Sequence, residues 1–152
     1  MRVFLVNWGS KEPRLAEVAE ELQKNSHEVV YWIRSNRHFK IDKSKYPNTI
    51  FHDYHQALKA LPAENVDNTS FPPIDEDMFK EFSDLESLIM DMAERDFHEK
   101  TLQERKYIYF EYIKYWHGVL QKYKPDVIVF PFLPHRCFDF VIYHLAKFLG
   151  IK

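Results

Sequence analysis

The chain has 152 residues, the length of a single domain. Its 45% hydrophobic and 29% charged residues suffice for a core, and a formal net charge of −2 excludes the uniform positive field of a nucleic-acid binder. A lone cysteine, Cys137, excludes an intrachain disulfide and points to a reducing, cytoplasmic setting, and no apolar run is long enough for a transmembrane segment. Charge is unevenly spread, +3 over residues 1–60, −9 over 61–100 and +4 over 101–152, which places a solvated acidic face in the middle of the chain. Aromatic residues make up 16% against 3 glycines, too few for a loop-built phosphate cradle.

Val3 to Val6 is a short apolar run without polar alternation, as in a strand buried on both faces of a parallel sheet. Pro13 suits a helix first turn, and Leu15, Val18, Ala19 and Leu22 form one apolar stripe that ends near Asn25. Val29 to Ile33 is the second strand, so the first three elements form a right-handed βαβ unit. A shorter third strand follows at Thr49 to Phe51, then a turn or short helix over Tyr54 to Leu61. Pro62 to Asp77, with Pro62, Pro72 and Pro73 among Asn, Asp and Ser, reads as an irregular excursion. Two capping-box patterns, Ser83 with Glu86 and Thr101 with Glu104, predict two successive helices. The first carries Leu85, Leu88, Ile89 and Met92, the second Ile108, Tyr112, Tyr115, Trp116, Val119 and Tyr123. Val127 to Phe130 is the clearest buried strand; after Pro131 and Pro134 a last amphipathic helix runs from Phe138 to Leu149, capped by Gly150. The expected fold is α/β: a Rossmann-like open parallel sheet of about four strands flanked by helices, with a helical insertion before the last strand.

Two stretches resemble the N-terminal domain of GT-B glycosyltransferases. Leu15 to Leu22 followed by Asn25-Ser26-His27-Glu28-Val29 resembles the first helix and its Gly-His-Glu-Val exit, with Ser26 in the glycine's place. Lys124-Pro125-Asp126-Val127-Ile128-Val129 and Ala146-Lys147-Phe148-Leu149-Gly150-Ile151 resemble the later Lys-Pro-Asp strand and Ala-Lys-x-Leu-Gly-Ile helix, while the middle of the chain is unmatched. The resemblance implies the acceptor-side domain of an enzyme of bacterial surface-polysaccharide synthesis, cytoplasmic or peripheral to the inner membrane. It implies a sugar or glycan acceptor as partner and a further C-terminal domain for the nucleotide-sugar donor. No cofactor is expected on this domain itself.

In an open parallel sheet, ligands bind beyond the carboxyl ends of the strands, where strand order reverses. That rule selects Asn7, Trp8, Gly9 and Ser10 after the first strand, Asn36 after the second, His52 and Asp53 after the third, and His135 and Arg136 after the fourth. Asn7 and Ser10 are candidates to bond sugar hydroxyls, Trp8 to stack on a pyranose, and His135 to act as a base or bind a phosphate oxygen; each has a plainer role in packing or capping. Arg95, with Asp96 at the end of an inserted helix, is a candidate to meet an anionic ligand or else a surface ion pair. His52, Asp53 and His55 lack a second ligand cluster, so no metal site is expected. The aromatic ladder from Tyr107 to Trp116 covers more than one helical face, which predicts core packing plus a surface for a homodimer or a missing domain. The alternatives to a glycosyltransferase half are a non-catalytic binding or assembly module with the same fold, and a flavodoxin-like nucleotide-binding enzyme.

Overall fold

The computed structural model describes residues 1–8, 13–35 and 41–152, and the side chains of 13–15, Leu15 among them, lie outside that description. In chain order the elements are β1 (Arg2–Leu5), α1 (Pro13–Lys24), β2 (Glu28–Arg34), a 3-10 turn (Lys43–Lys45), β3 (Ile50–Asp53), α2 (Tyr54–Leu58), α3 (Glu76–Ser83), α4 (Glu86–Asp96), α5 (Leu102–Tyr123), β4 (Val127–Val129) and α6 (Cys137–Phe148). The strands form one sheet in the order β3-β2-β1-β4, all parallel. The fold is therefore the Rossmann-like α/β sheet that the continuous apolar runs predict, with α3, α4 and α5 inserted ahead of β4.

Both faces of the sheet are covered, which is why β1, β2 and β4 read as nearly unbroken apolar runs. The larger core joins Phe4, Val6, Tyr31, Ile33 and Ile128 to the helices α2 to α6. The smaller one joins Val3, Leu5, Trp8, Val29 and Trp32 to Ala19 of α1 and to Tyr46 beside the 3-10 turn. A register shift in the β1–β2 pairing, Val3 opposite Val29 but Phe4 opposite Tyr31, leaves Val30 as an extra residue. Val30 and Tyr31 consequently both enter the larger core, which strict alternation would forbid.

Helix ends follow their local chemistry, with one exception to the sequence reading. Ser26 takes a left-handed φ of 61°, while its amide bonds Gln23 and that of His27 bonds Leu22, a Schellman ending more usual for glycine. Gly150 (φ 68°) ends α6 in the same way, its amide bonding Lys147 and that of Ile151 bonding Ala146. The Thr101–Glu104 capping box forms as expected. The Ser83–Glu86 pattern does not: Ser83 is the last residue of α3, a helix the sequence reading missed, and its hydroxyl donates backward to the Phe79 carbonyl. Asp75 caps α3 instead, accepting from the Met78 amide at 2.8 Å.

The long α5 shows the core-packing part of the aromatic ladder. Tyr109, Tyr112, Tyr115 and Trp116 are all buried within the chain, and of the ladder Tyr107 is the exposed member. Most of the ladder thus packs into the core, in part because it holds down α2 and the excursion between α2 and α3. The Tyr112 hydroxyl donates to the Leu58 carbonyl, and that of Tyr115 accepts from the Ala63 amide at 3.0 Å. Phe71 closes the excursion by lying on Gly118 of α5, where an added Cβ would sit 2.1 Å from the Phe71 ring carbons Cγ and Cδ2. Gly118→Ala is expected to cost about 1–3 kcal/mol through overpacking, even though alanine raises helix propensity. Urea unfolding measures this, and the same substitution in a Phe71→Ala background should lose most of that cost; equal costs in both backgrounds would remove Phe71 as the reason for the glycine.

Candidate functional site

Because β2 and β3 lie on one side of β1 and β4 on the other, strand order reverses between β1 and β4. Their carboxyl ends are tied by the Val6 amide on the Val129 carbonyl at 3.0 Å. Directly after β1, Asn7 adopts a left-handed φ of 56°, a conformation asparagine tolerates better than most residues. Its Nδ2 donates to Asp139 Oδ2 at 3.0 Å, while its Oδ1 is buried without a hydrogen-bond partner.

Asp139 organises the site, and the sequence reading did not select it. It stands in the first turn of α6, where a carboxylate caps the exposed amides and meets the positive end of the helix dipole. Its Oδ1 accepts from the amides of His135 at 3.0 Å and Arg136 at 2.8 Å. One buried carboxyl group therefore joins the end of β1 to the loop leaving β4. Burial pushes its pKa up to about 6, against the amide donors that favour the charged form.

The inserted helices reach the same place. The Arg95 guanidinium at the end of α4 donates to the His135 carbonyl, and that of Arg136 bonds Asp96 Oδ1. The Asp96 side chain is fully buried, and its Oδ2 has no hydrogen-bond partner. Arg95 and Asp96 thus form a brace between α4 and the β4–α6 loop. Cys137, one residue into α6, is buried, and burial together with the nearby Asp96 pushes its thiol up to about 12, so it behaves as a small apolar group.

His135 is exposed at the mouth of this arrangement, with Nδ1 3.1 Å from the Leu133 carbonyl. A carbonyl only accepts, so this contact places the proton of the neutral ring on Nδ1 and the lone pair on Nε2. The geometry therefore brings together four of the sequence-selected residues, Asn7, Arg95, His135 and Arg136, around Asp139.

The remaining candidates lie elsewhere. Trp8 is buried in the smaller core, its carbonyl accepting from Trp32 Nε1 at 2.8 Å, so its indole is not laid open as a stacking platform. His52 is buried against α5 with both ring nitrogens engaged, Nδ1 2.9 Å from the Tyr31 hydroxyl and Nε2 2.9 Å from the Leu61 carbonyl. Asp53 caps α2, accepting from the amides of His55 and Gln56, and stands in register with the buried Arg34 two strands away from β4. Gly9, Ser10 and Asn36 lie outside the described residues. Among the described residues no three His, Cys, Asp or Glu side chains converge as a metal site.

No family model, no curated protein and no solved structure matches the chain. The likeness of its two ends to GT-B domains therefore stands on the residues that carry it, and the reading of the site rests on the geometry around Asp139.

Proposed function

We propose that the chain is the acceptor-side domain of a glycosyltransferase and holds a hydroxyl-bearing sugar in the crevice between β1 and β4. The observation that carries this reading is the occupant of the α6 N-terminus. That positive end is where a doubly wound fold ordinarily seats a phosphate, and here the chain's own Asp139 carboxyl fills it. A nucleotide is thereby disfavoured at this place, whereas a neutral polyol needs acceptors and a base. His135 Nε2, on an exposed ring, carries the free lone pair, while Asn7 Oδ1 lacks a donor but is buried, so a hydroxyl reaches it only once the Asn7 side chain turns outward.

In the transfer step His135 Nε2 takes the proton of an acceptor hydroxyl as its oxygen bonds the anomeric carbon of the donor. The bond from that carbon to the nucleoside diphosphate breaks, and the diphosphate leaves with the electron pair. Asp139 acts as a positioning residue, since it fixes the backbone on which His135 sits. Arg95 and Arg136 hold the same loop against α4.

The test is a titration of the chain with oligosaccharides and, separately, with nucleotide sugars, followed by NMR at the Asn7 side-chain amide and the His135 ring. Shifts of both groups with the glycan, and none with the nucleotide sugar, are the expected outcome. Tighter binding of the nucleotide sugar would transfer the site to the nucleotide-binding alternative. A response to neither class would leave an assembly module as the better description.

A further inference from the structure

No helix among the described residues, α5 with its 22 residues included, is long and apolar enough to cross a membrane. Yet one ring of α5 stays outside the core: Tyr107 is 66% exposed, while Tyr109, Tyr112, Tyr115 and Trp116 are buried. That ring lines a hollow of about 490 Å³ between the end of α2 and the first turns of α5, a volume typical of small-molecule sites. Gln103 and Glu104 stand one turn before Tyr107 and Ile108 on the same helix face, and Lys59 and Lys100 complete the lining. Nearby, Arg105 donates to the Phe97 carbonyl at 3.1 Å, at the end of the helix whose Arg95 holds the His135 carbonyl. The hollow and the crevice therefore lie at the same end of the molecule.

The groups around the ring select a sugar that carries a single carboxylate. A tyrosine face attracts the C–H edge of a flat apolar body, and a pyranose offers one such face ringed by hydroxyls. Gln103 supplies both donors and an acceptor for those hydroxyls. Glu104 commits one oxygen to the chain, its Oε2 accepting from the Thr101 amide and hydroxyl at 2.8 Å each, while its Oε1 stands 4.0 Å from Lys100. The Lys59 ammonium has no carboxylate partner among the described residues, so the lining carries a surplus of one positive charge. A nucleotide fits less well, because Thr101 and Glu104 already cap the N-terminus of α5 and the Glu104 carboxylate opposes a phosphate there. We propose that this hollow is a second glycan site, seating one uronic acid unit stacked on Tyr107 with its carboxylate on Lys59. Where the crevice holds the reacting end of the same glycan, a part of the inference that rests on the proposed function, the hollow grips the acceptor away from the reacting hydroxyl and selects acidic chains.

NMR titration of the chain with tri-galacturonate, and with the same trisaccharide reduced at its carboxyl groups, tests the site. The acidic trisaccharide should shift the Tyr107 ring signals and have its own C–H signals moved upfield by the ring. The reduced form should bind about two- to fivefold more weakly, a difference that shrinks in salt. Tyr107→Ala should weaken binding roughly tenfold, Tyr107→Phe should keep most of it, and Lys59→Gln should abolish the preference for the acidic form. Both side chains are exposed, so the unfolding midpoints of these variants should stay in place. An unmoved Tyr107 ring, an affinity indifferent to Tyr107→Ala, or equal binding of the two trisaccharides would each overturn the site, and a stronger response of Tyr107 to uridine diphosphate would overturn it in favour of a nucleotide. The Asn7 and His135 signals appear in the same spectra, so a response at Tyr107 without them, or at them without Tyr107, separates failure of the proposed function from failure of this site.

Discussion

Tyr31→Phe is expected to lower the stability of the fold by about 2–5 kcal/mol at pH 7, more than the loss of one hydroxyl ordinarily costs. The reason is a buried relay in which each group has one permitted role. The Ala63 amide donates to the Tyr115 oxygen at 3.0 Å, and the two tyrosine hydroxyls are 2.9 Å apart. At the other end the Leu61 carbonyl accepts from His52 Nε2, so His52 Nδ1 is left as an acceptor for the Tyr31 hydroxyl. Tyr31 must then donate to His52 and accept from Tyr115, and the whole chain is satisfied in that single direction. Removing its oxygen leaves the Tyr115 O–H and His52 Nδ1 without partners, and each such buried group costs about 1–3 kcal/mol. Urea unfolding measures the loss, with Tyr107→Phe on the exposed part of α5 as the reference. A loss no greater than that reference would show that the relay is not held closed.

The same relay gives stability a pH dependence of defined sign. Burial is the main cause that holds His52 down to about 4, from an ordinary value near 6.5. The unfolded chain therefore binds the proton first. The contribution of His52 is complete above pH 6.5 and is lost progressively toward pH 4, by about 3 kcal/mol in total. His52 ring signals should report the neutral Nε2–H form throughout pH 5–7; titration near 6.5 would contradict the burial argument.

How much of this was legible in the sequence depended on the range of the interaction involved. The strands β1, β2 and β4 could be read because burial on both faces leaves a nearly uninterrupted apolar run, a property of the strand itself, whereas β3 ends in His52 and Asp53 and was legible only in its first residues. Thr101 announced α5 for the same reason, since a capping box closes within four residues. Ser83 fitted that pattern equally well and misled, because spacing does not say whether a hydroxyl bonds forward or back. The order in the 59–75 excursion could not be read at all, as its ties come from His52 and Tyr115 on other elements. At the site, the strand-end rule reached Asn7, His135 and Arg136, but position near a strand end does not fix the face. Trp8 and His52 therefore turned into the two cores. The acid at 139 was visible as a helix-start residue, yet its bond to Asn7 spans 132 positions and has no local signature.

Asp139→Asn separates the two roles of that buried group, through an effect that changes with pH. Burial is the main cause that raises the Asp139 carboxyl to about 6 from an ordinary value near 3.8. The folded chain then keeps its proton longer than the unfolded chain does. The contribution of Asp139 is complete below pH 3.8 and falls as pH rises through 6, by about 3 kcal/mol, opposite in sign to that of His52. Over pH 4–6 the two nearly offset each other in the wild-type chain. The amide variant keeps an acceptor for the amides of His135 and Arg136, and Asn7, whose Oδ1 is free of partners, can turn to accept from the new amide. It should therefore compare with wild type about 3 kcal/mol more favourably at pH 7 than at pH 4, and its own stability should climb with pH as His52 alone dictates. Asp139→Ala is the contrasting case. It strands two backbone amides and the Asn7 Nδ2 at once, for an expected loss of about 3–5 kcal/mol at pH 4, and it releases the loop that carries His135. Urea midpoints for both variants at the two pH values decide the matter: if the amide variant tracks wild type in parallel, the carboxyl is not proton-linked to folding, and the bond from β1 to α6 must owe its strength to a permanently charged group.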